Sequence, residues 1–80
     1  MAFYIKNEMI QRLNKDGKLR IRLAAALEVS DRAVYDVVKK SQKKPIANST
    51  FTKKAALDFF KMEGYEEDSF LTNEIPVIKP

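Results

Sequence analysis

The sequence predicts a compact all-α domain of five helices with a short extended C-terminal tail, and three observations carry that prediction. No proline occurs before Pro45. Apolar residues recur at three- and four-residue steps, the period of one helix face, and not at the two-residue step of a strand. Gly17 and Gly64 stand where two of these periodic segments end, where a residue able to turn left-handed is favoured. The helical domain is assigned to residues 1–72 and the tail to residues 73–80.

Ile5, Met9, Ile10 and Leu13 mark one face of a first helix over about residues 4–14, with Asn14-Lys15-Asp16-Gly17 as its exit. Leu19, Leu23, Ala24 and Leu27 mark a second helix from Leu19 to Leu27, rich in alanine where a neighbouring backbone can approach. Ser30 is a good N-cap and Asp31 complements the positive end of the helix that follows. This third helix turns Val34, Val37 and Val38 inward and ends at Lys43-Lys44-Pro45, because the residue before proline is pushed out of the helical region. After the polar loop Ala47-Asn48-Ser49-Thr50, a fourth helix with Phe51, Ala55, Ala56, Phe59, Phe60 and Met62 runs to Gly64 and supplies most of the aromatic core. Glu66, Glu67 and Asp68 suit the first turn of a short fifth helix, with Phe70 and Leu71 packing back. Beyond Leu71 the prolines leave an extended segment.

Composition narrows the function. With 45% hydrophobic and 32% charged residues in 80, the chain lies in the globular range and closes a core by a thin margin. It has no His and no Cys, which excludes a Cys/His zinc site, a thiol nucleophile, a Ser-His-Asp triad and a disulfide framework. Two glycines cannot write a phosphate-cradling loop or a dinucleotide fingerprint. Tyr35 beside Arg32 lacks the cluster of acid-base groups that strand cleavage needs, and consecutive carboxylates at Glu66, Glu67 and Asp68 do not converge on a metal. The expectation is a binding protein, not an enzyme, with no cofactor, no metal and no small-molecule ligand. The longest apolar run, Leu23-Ala24-Ala25-Ala26-Leu27, is far below the ~20 residues that span a bilayer, so no membrane partner is expected and a cytoplasmic location is.

Charge is unevenly distributed. Residues 1–44 carry eleven basic and five acidic side chains, a balance of +6, while residues 45–80 carry four basic and six acidic ones, a balance of −2. The first half therefore suits a polyanion. The segment Arg20 to Lys39 reads as a helix, a tight connection and a second helix. It has a small residue, Ala24, where the helices would cross, and apolar residues Leu27, Val29, Val34 and Val37 flanking the turn and on the buried face. This arrangement resembles the helix-turn-helix.

Taken whole, residues 5–71, including Phe59, Gly64, Tyr65, Asp68, Phe70 and Leu71, resemble the Cro/repressor (Xre-like) family of phage and plasmid regulators. One position departs from the pattern: the turn residue that is often glycine in the family is Glu28 here, which places a non-glycine residue at positive φ. The resemblance implies a lambda-repressor-like fold, a homodimer on a near-palindromic double-stranded DNA site, and a regulator, most plausibly a repressor, in the host cytoplasm. It implies base readout from Ser30, Asp31, Arg32, Tyr35 and Asp36 at the start of the third helix, with Arg32 able to bond guanine O6 and N7 together. Phosphate contacts are expected from Arg20, Arg22, Lys39, Lys40, Lys43 and Lys44. A dimer surface is expected at Phe70, Leu71, Ile75, Val77 and Ile78. Rival readings take residues 19–40 as two packed helices of a small bundle. The chain is then a protein-interaction module such as an antirepressor or antitoxin-like adaptor; within the DNA-binding class, an excisionase-like recombination factor is the other rival.

Overall fold

The computed structural model describes residues 2–77. Five helices fold around one core in the order β1 (Tyr4–Ile5), α1 (Asn7–Lys15), α2 (Gly17–Leu27), α3 (Asp31–Lys43), a 3₁₀ turn (Thr50–Thr52), α4 (Lys54–Met62), α5 (Glu67–Phe70) and β2 (Leu71–Thr72). The all-α class and the helix count agree with the sequence reading. The boundaries differ at three places, each with a physical cause.

The first helix begins at Asn7, not at residue 4, because Tyr4 and Ile5 pair antiparallel with Thr72 and Leu71. Lys6 extends this contact, its backbone N–H donating to the Phe70 carbonyl at 2.8 Å. Ile5 still reaches the core, but from a strand, beside Met9, Ile10 and Leu13.

Gly17 is not the left-handed exit of α1. Asp16 adopts an extended conformation and ends α1, and its carboxylate accepts from the Leu19 N–H at 3.0 Å, so it caps α2 as well. With one residue serving both helix ends, the turn needs no positive φ, and Gly17 becomes the first residue of α2, two positions before the expected start. Gly64 does take the left-handed region, with φ 99°, as expected of a helix exit.

The fourth segment is split. Thr52 turns back on Ser49, its N–H and hydroxyl both donating to the Ser49 carbonyl at 3.0 and 2.7 Å, and Lys53 is extended. Phe51 therefore enters the core from the 3₁₀ turn, while Ala55 and Met62, expected on the apolar face, point to solvent.

At the centre, Phe51, Phe60 and Phe70 are fully buried with Leu13, Leu23 and Val38. Phe60 and Phe70 rings lie 5.0 Å apart and tilted, a favourable aromatic geometry. The expectation that Phe70 forms a dimer surface is thereby corrected, since its side chain is inside the protomer. Leu71 is half-buried in β2, Ile75 and Val77 are exposed, and Ile78 lies outside the described residues. Val29, expected to pack beside the turn, is 40% exposed.

The two glycines should respond oppositely to alanine. Gly17→Ala meets only the end of the Arg20 side chain, at 3.4 Å, in a helical conformation and should raise stability by about 0.5 kcal/mol. Gly64→Ala forces a side chain into positive φ and should lower it by about 1 kcal/mol or more; urea unfolding of both variants checks the pair of signs.

Candidate nucleic-acid interface

The connection between α2 and α3 fixes how α3 is presented. Ala24 is buried, as a close crossing of two helices requires. Glu28 sits in the left-handed region, φ 57° and ψ 40°, and the N–H groups of Glu28 and Val29 return to the carbonyls of Ala25 and Ala24 at 3.2 and 3.0 Å. This is a Schellman ending made without glycine. Ser30 is extended, and its hydroxyl accepts from the Ala33 N–H at 3.1 Å, which starts α3 immediately. The sequence thus forms a helix, a tight turn and a second helix, with positive φ at the position expected to need it.

Val34 and Val38, one turn apart, are essentially inaccessible, and Val37 packs partly against the core. The helix period then turns Arg32, Tyr35, Asp36, Lys39, Lys40 and Lys43 toward the other side. All are exposed except Lys39, which is half-buried. Four cations and one carboxylate share this face. Arg32 Nε lies 3.5 Å from Asp36 Oδ1, with the two side chains 85% and 54% exposed. A pair so open to water is weak and does not hold the guanidinium back from a ligand. Of the residues expected to read bases, Ser30 is occupied as the cap of α3, and Asp31, in the first turn, complements the helix dipole.

The residues expected at phosphates divide into three groups. Lys40, Lys43 and Lys44 are exposed along α3 and its exit. Arg22 turns to α4 instead: its Nη2 is 2.7 Å from Glu63 Oε1, and this charge-assisted hydrogen bond raises the Arg22 pKa above its ordinary value. Arg22 is therefore not gathered with the α3 cations. Arg20 and Lys39 form the third group, drawn together by Tyr35, whose ring lies 5.5 Å from the Arg20 guanidinium carbon and 5.1 Å from Lys39 Nζ. Lys39 Nζ also donates to Asn14 Oδ1 at 3.0 Å. Asn14 is a participant that sequence reasoning missed, because a polar residue in the last turn of a helix carries no pattern that identifies a partner twenty-five positions away.

Elsewhere the polar surface is more dispersed. A shallow cleft between α1 and α2 is lined by Glu8, Arg12, Lys15, Asp16, Lys18 and Ile21, mixing both signs of charge. Among the described residues, no three acidic side chains converge as a metal site would require, and no helix is long and apolar enough to cross a membrane.

Because Glu28 carries a side chain in the left-handed region, Glu28→Gly should stabilise the fold by about 1 kcal/mol while leaving α3 in place; thermal unfolding of the variant reads this directly, and a lower midpoint would show that the Glu28 side chain supports the turn. No family model, no curated protein and no solved structure matches this chain.

Proposed function

We propose that the protein binds double-stranded DNA in a sequence-specific manner and acts as a transcriptional regulator of the phage or plasmid repressor type. The observation that carries this reading is the outward face of α3, where exposed Arg32, Lys40 and Lys43 and half-buried Lys39 share the face with one carboxylate, Asp36, next to an exposed tight turn at Glu28 to Ser30. A helix of this kind fits the major groove, where guanidinium groups can bond guanine edges and lysines can neutralise phosphates. The −2 balance of residues 45–80 leaves the first half of the chain as the polyanion-binding part.

Arg32 is the reader in this proposal, and Lys40 and Lys43 are positioners. One such helix reads few base pairs, so two copies would share a near-palindrome with half-sites about one helical turn apart. Ile75 and Val77, exposed after the last strand, and half-buried Leu71 within it supply the apolar material for that contact. Regulation would then follow occupancy of the site, without a small-molecule ligand.

Selection of bound duplexes from a random pool tests the reading, and enrichment of an inverted repeat with affinity falling steeply as salt rises is the expected result. On the enriched duplex, Arg32→Ala should cost about 1–3 kcal/mol and relax preference at one base position, whereas Lys40→Ala should weaken binding to all sequences and flatten the salt slope by about 0.9. If nothing is enriched and binding is weak at low salt, the DNA reading fails.

A further inference from the structure

Arg20 was expected at a phosphate, but its guanidinium faces the protein. Nη1 donates to the carbonyls of Leu13 and Asn14, at 2.7 and 2.8 Å, near the end of α1 where helix carbonyls lack an intrahelical partner. Nε is buried and has no hydrogen-bond partner in the protein. Nη2 lies close to the Cα side of Gly17, where a β-carbon would come within 3.4 Å of it. The same group lies over the Tyr35 ring. Arg20 therefore touches three elements at once: it belongs to α2, binds the carbonyls of α1 and supports an aromatic side chain of α3.

The other cation over that ring closes the loop. Lys39, one turn after Tyr35, returns to Asn14, the residue whose backbone carbonyl Arg20 holds. Asn14 is thus engaged twice, through its carbonyl by α2 and through its amide oxygen by α3. Tyr35 stands at the edge of the outward face, between buried Val38 and exposed Arg32, so whatever fixes its ring also fixes the pitch of that face relative to α1 and α2.

We propose that Arg20 is a positioning residue for recognition and not a phosphate ligand: it sets the angle at which α3 presents Arg32. This inference rests on the DNA-binding reading. Physical chemistry separates the two roles. A phosphate ligand acts through its charge, so lysine preserves most of its effect and removal shows in the salt slope. A clamp built on a planar fork that bonds two carbonyls while lying on a ring depends on shape, and lysine does not reproduce it.

The test uses the duplex enriched by selection and compares it with random duplex for the full chain and four variants, Arg20→Lys, Arg20→Ala, Tyr35→Leu and Tyr35→Phe, with circular dichroism to establish that each is folded. Arg20→Lys should lower the ratio of specific to non-specific affinity by about tenfold, the loss expected when one base-reading pair is misaligned, while the salt slope keeps its wild-type value. Tyr35→Leu, which removes the ring and leaves both cations, should give the same loss, and Tyr35→Phe, which keeps the ring, should recover most of what Tyr35→Leu loses. A wild-type ratio in Arg20→Lys overturns the inference, as does a slope reduced by about 0.9 in Arg20→Ala with specific and random duplexes weakened equally, the signature of a phosphate contact. If Arg20→Lys fails to fold, Tyr35→Leu against Tyr35→Phe decides. Failure of the wild-type chain to enrich any duplex overturns the DNA reading and this inference with it, whereas an enriched duplex bound normally by the clamp variants overturns the inference alone.

Discussion

The placement of every other group on α3 follows from the burial of Val34 and Val38. These two side chains are 1% and 0% exposed, and removing them from water is worth about 1.5–3 kcal/mol each. The polar contacts along the same helix are smaller: the Arg32–Asp36 pair, open to solvent, contributes a few tenths of a kcal/mol. The valine stripe therefore sets the rotation of the helix about its axis, and the charged face is its geometric complement. A rotation by one residue would bury a cation or expose a valine, and either change exceeds anything the surface pairs could return. Ala24, small and buried, lets α2 come close enough for that stripe to be covered.

Closure of the domain depends on the chain ends. Two residues of β1 hold two of β2, and Phe70, the last residue of α5, fills the space against Phe60. In a domain of this size a core of three phenylalanines carries much of the stability, so the last helix, only four residues long, acts mainly as the carrier of one aromatic side chain. The surface beyond it, with Ile75 and Val77, is separate from that core and free to serve another purpose.

What could be read from the sequence follows the range of the forces involved. Helix periodicity, the Ser30 cap, the exit at Gly64 and positive φ at Glu28 are local, and each was legible from a few neighbouring residues. The strand pair was not, because its partners are sixty-eight positions apart at Tyr4 and Thr72 and two residues carry no alternation to detect. Glycine marks a helix exit only when nothing else turns the chain, and at Gly17 the Asp16 cap does so instead. Of the site, the outward face of α3 was legible as the remainder of its apolar stripe. The inward turn of Arg20 and the diversion of Arg22 to Glu63 were not, since a charged residue's partner is chosen by tertiary distance. Phe70 shows the same limit: apolar character says that a residue seeks burial, and only the fold says whether another chain or its own core provides it.

In the proposed complex, the face of α3 bearing Arg32, Tyr35, Lys39, Lys40 and Lys43 meets the duplex. The most direct measurement is a titration of isotope-labelled protein with a short duplex, followed residue by residue through backbone and side-chain NMR shifts at several salt concentrations. The largest shifts should fall on that face and on the turn at Glu28 to Ser30, diminishing as salt rises, while Met62 and the α5 carboxylates remain still. Shifts concentrated on α5 or in the cleft between α1 and α2, with α3 unmoved, would contradict it.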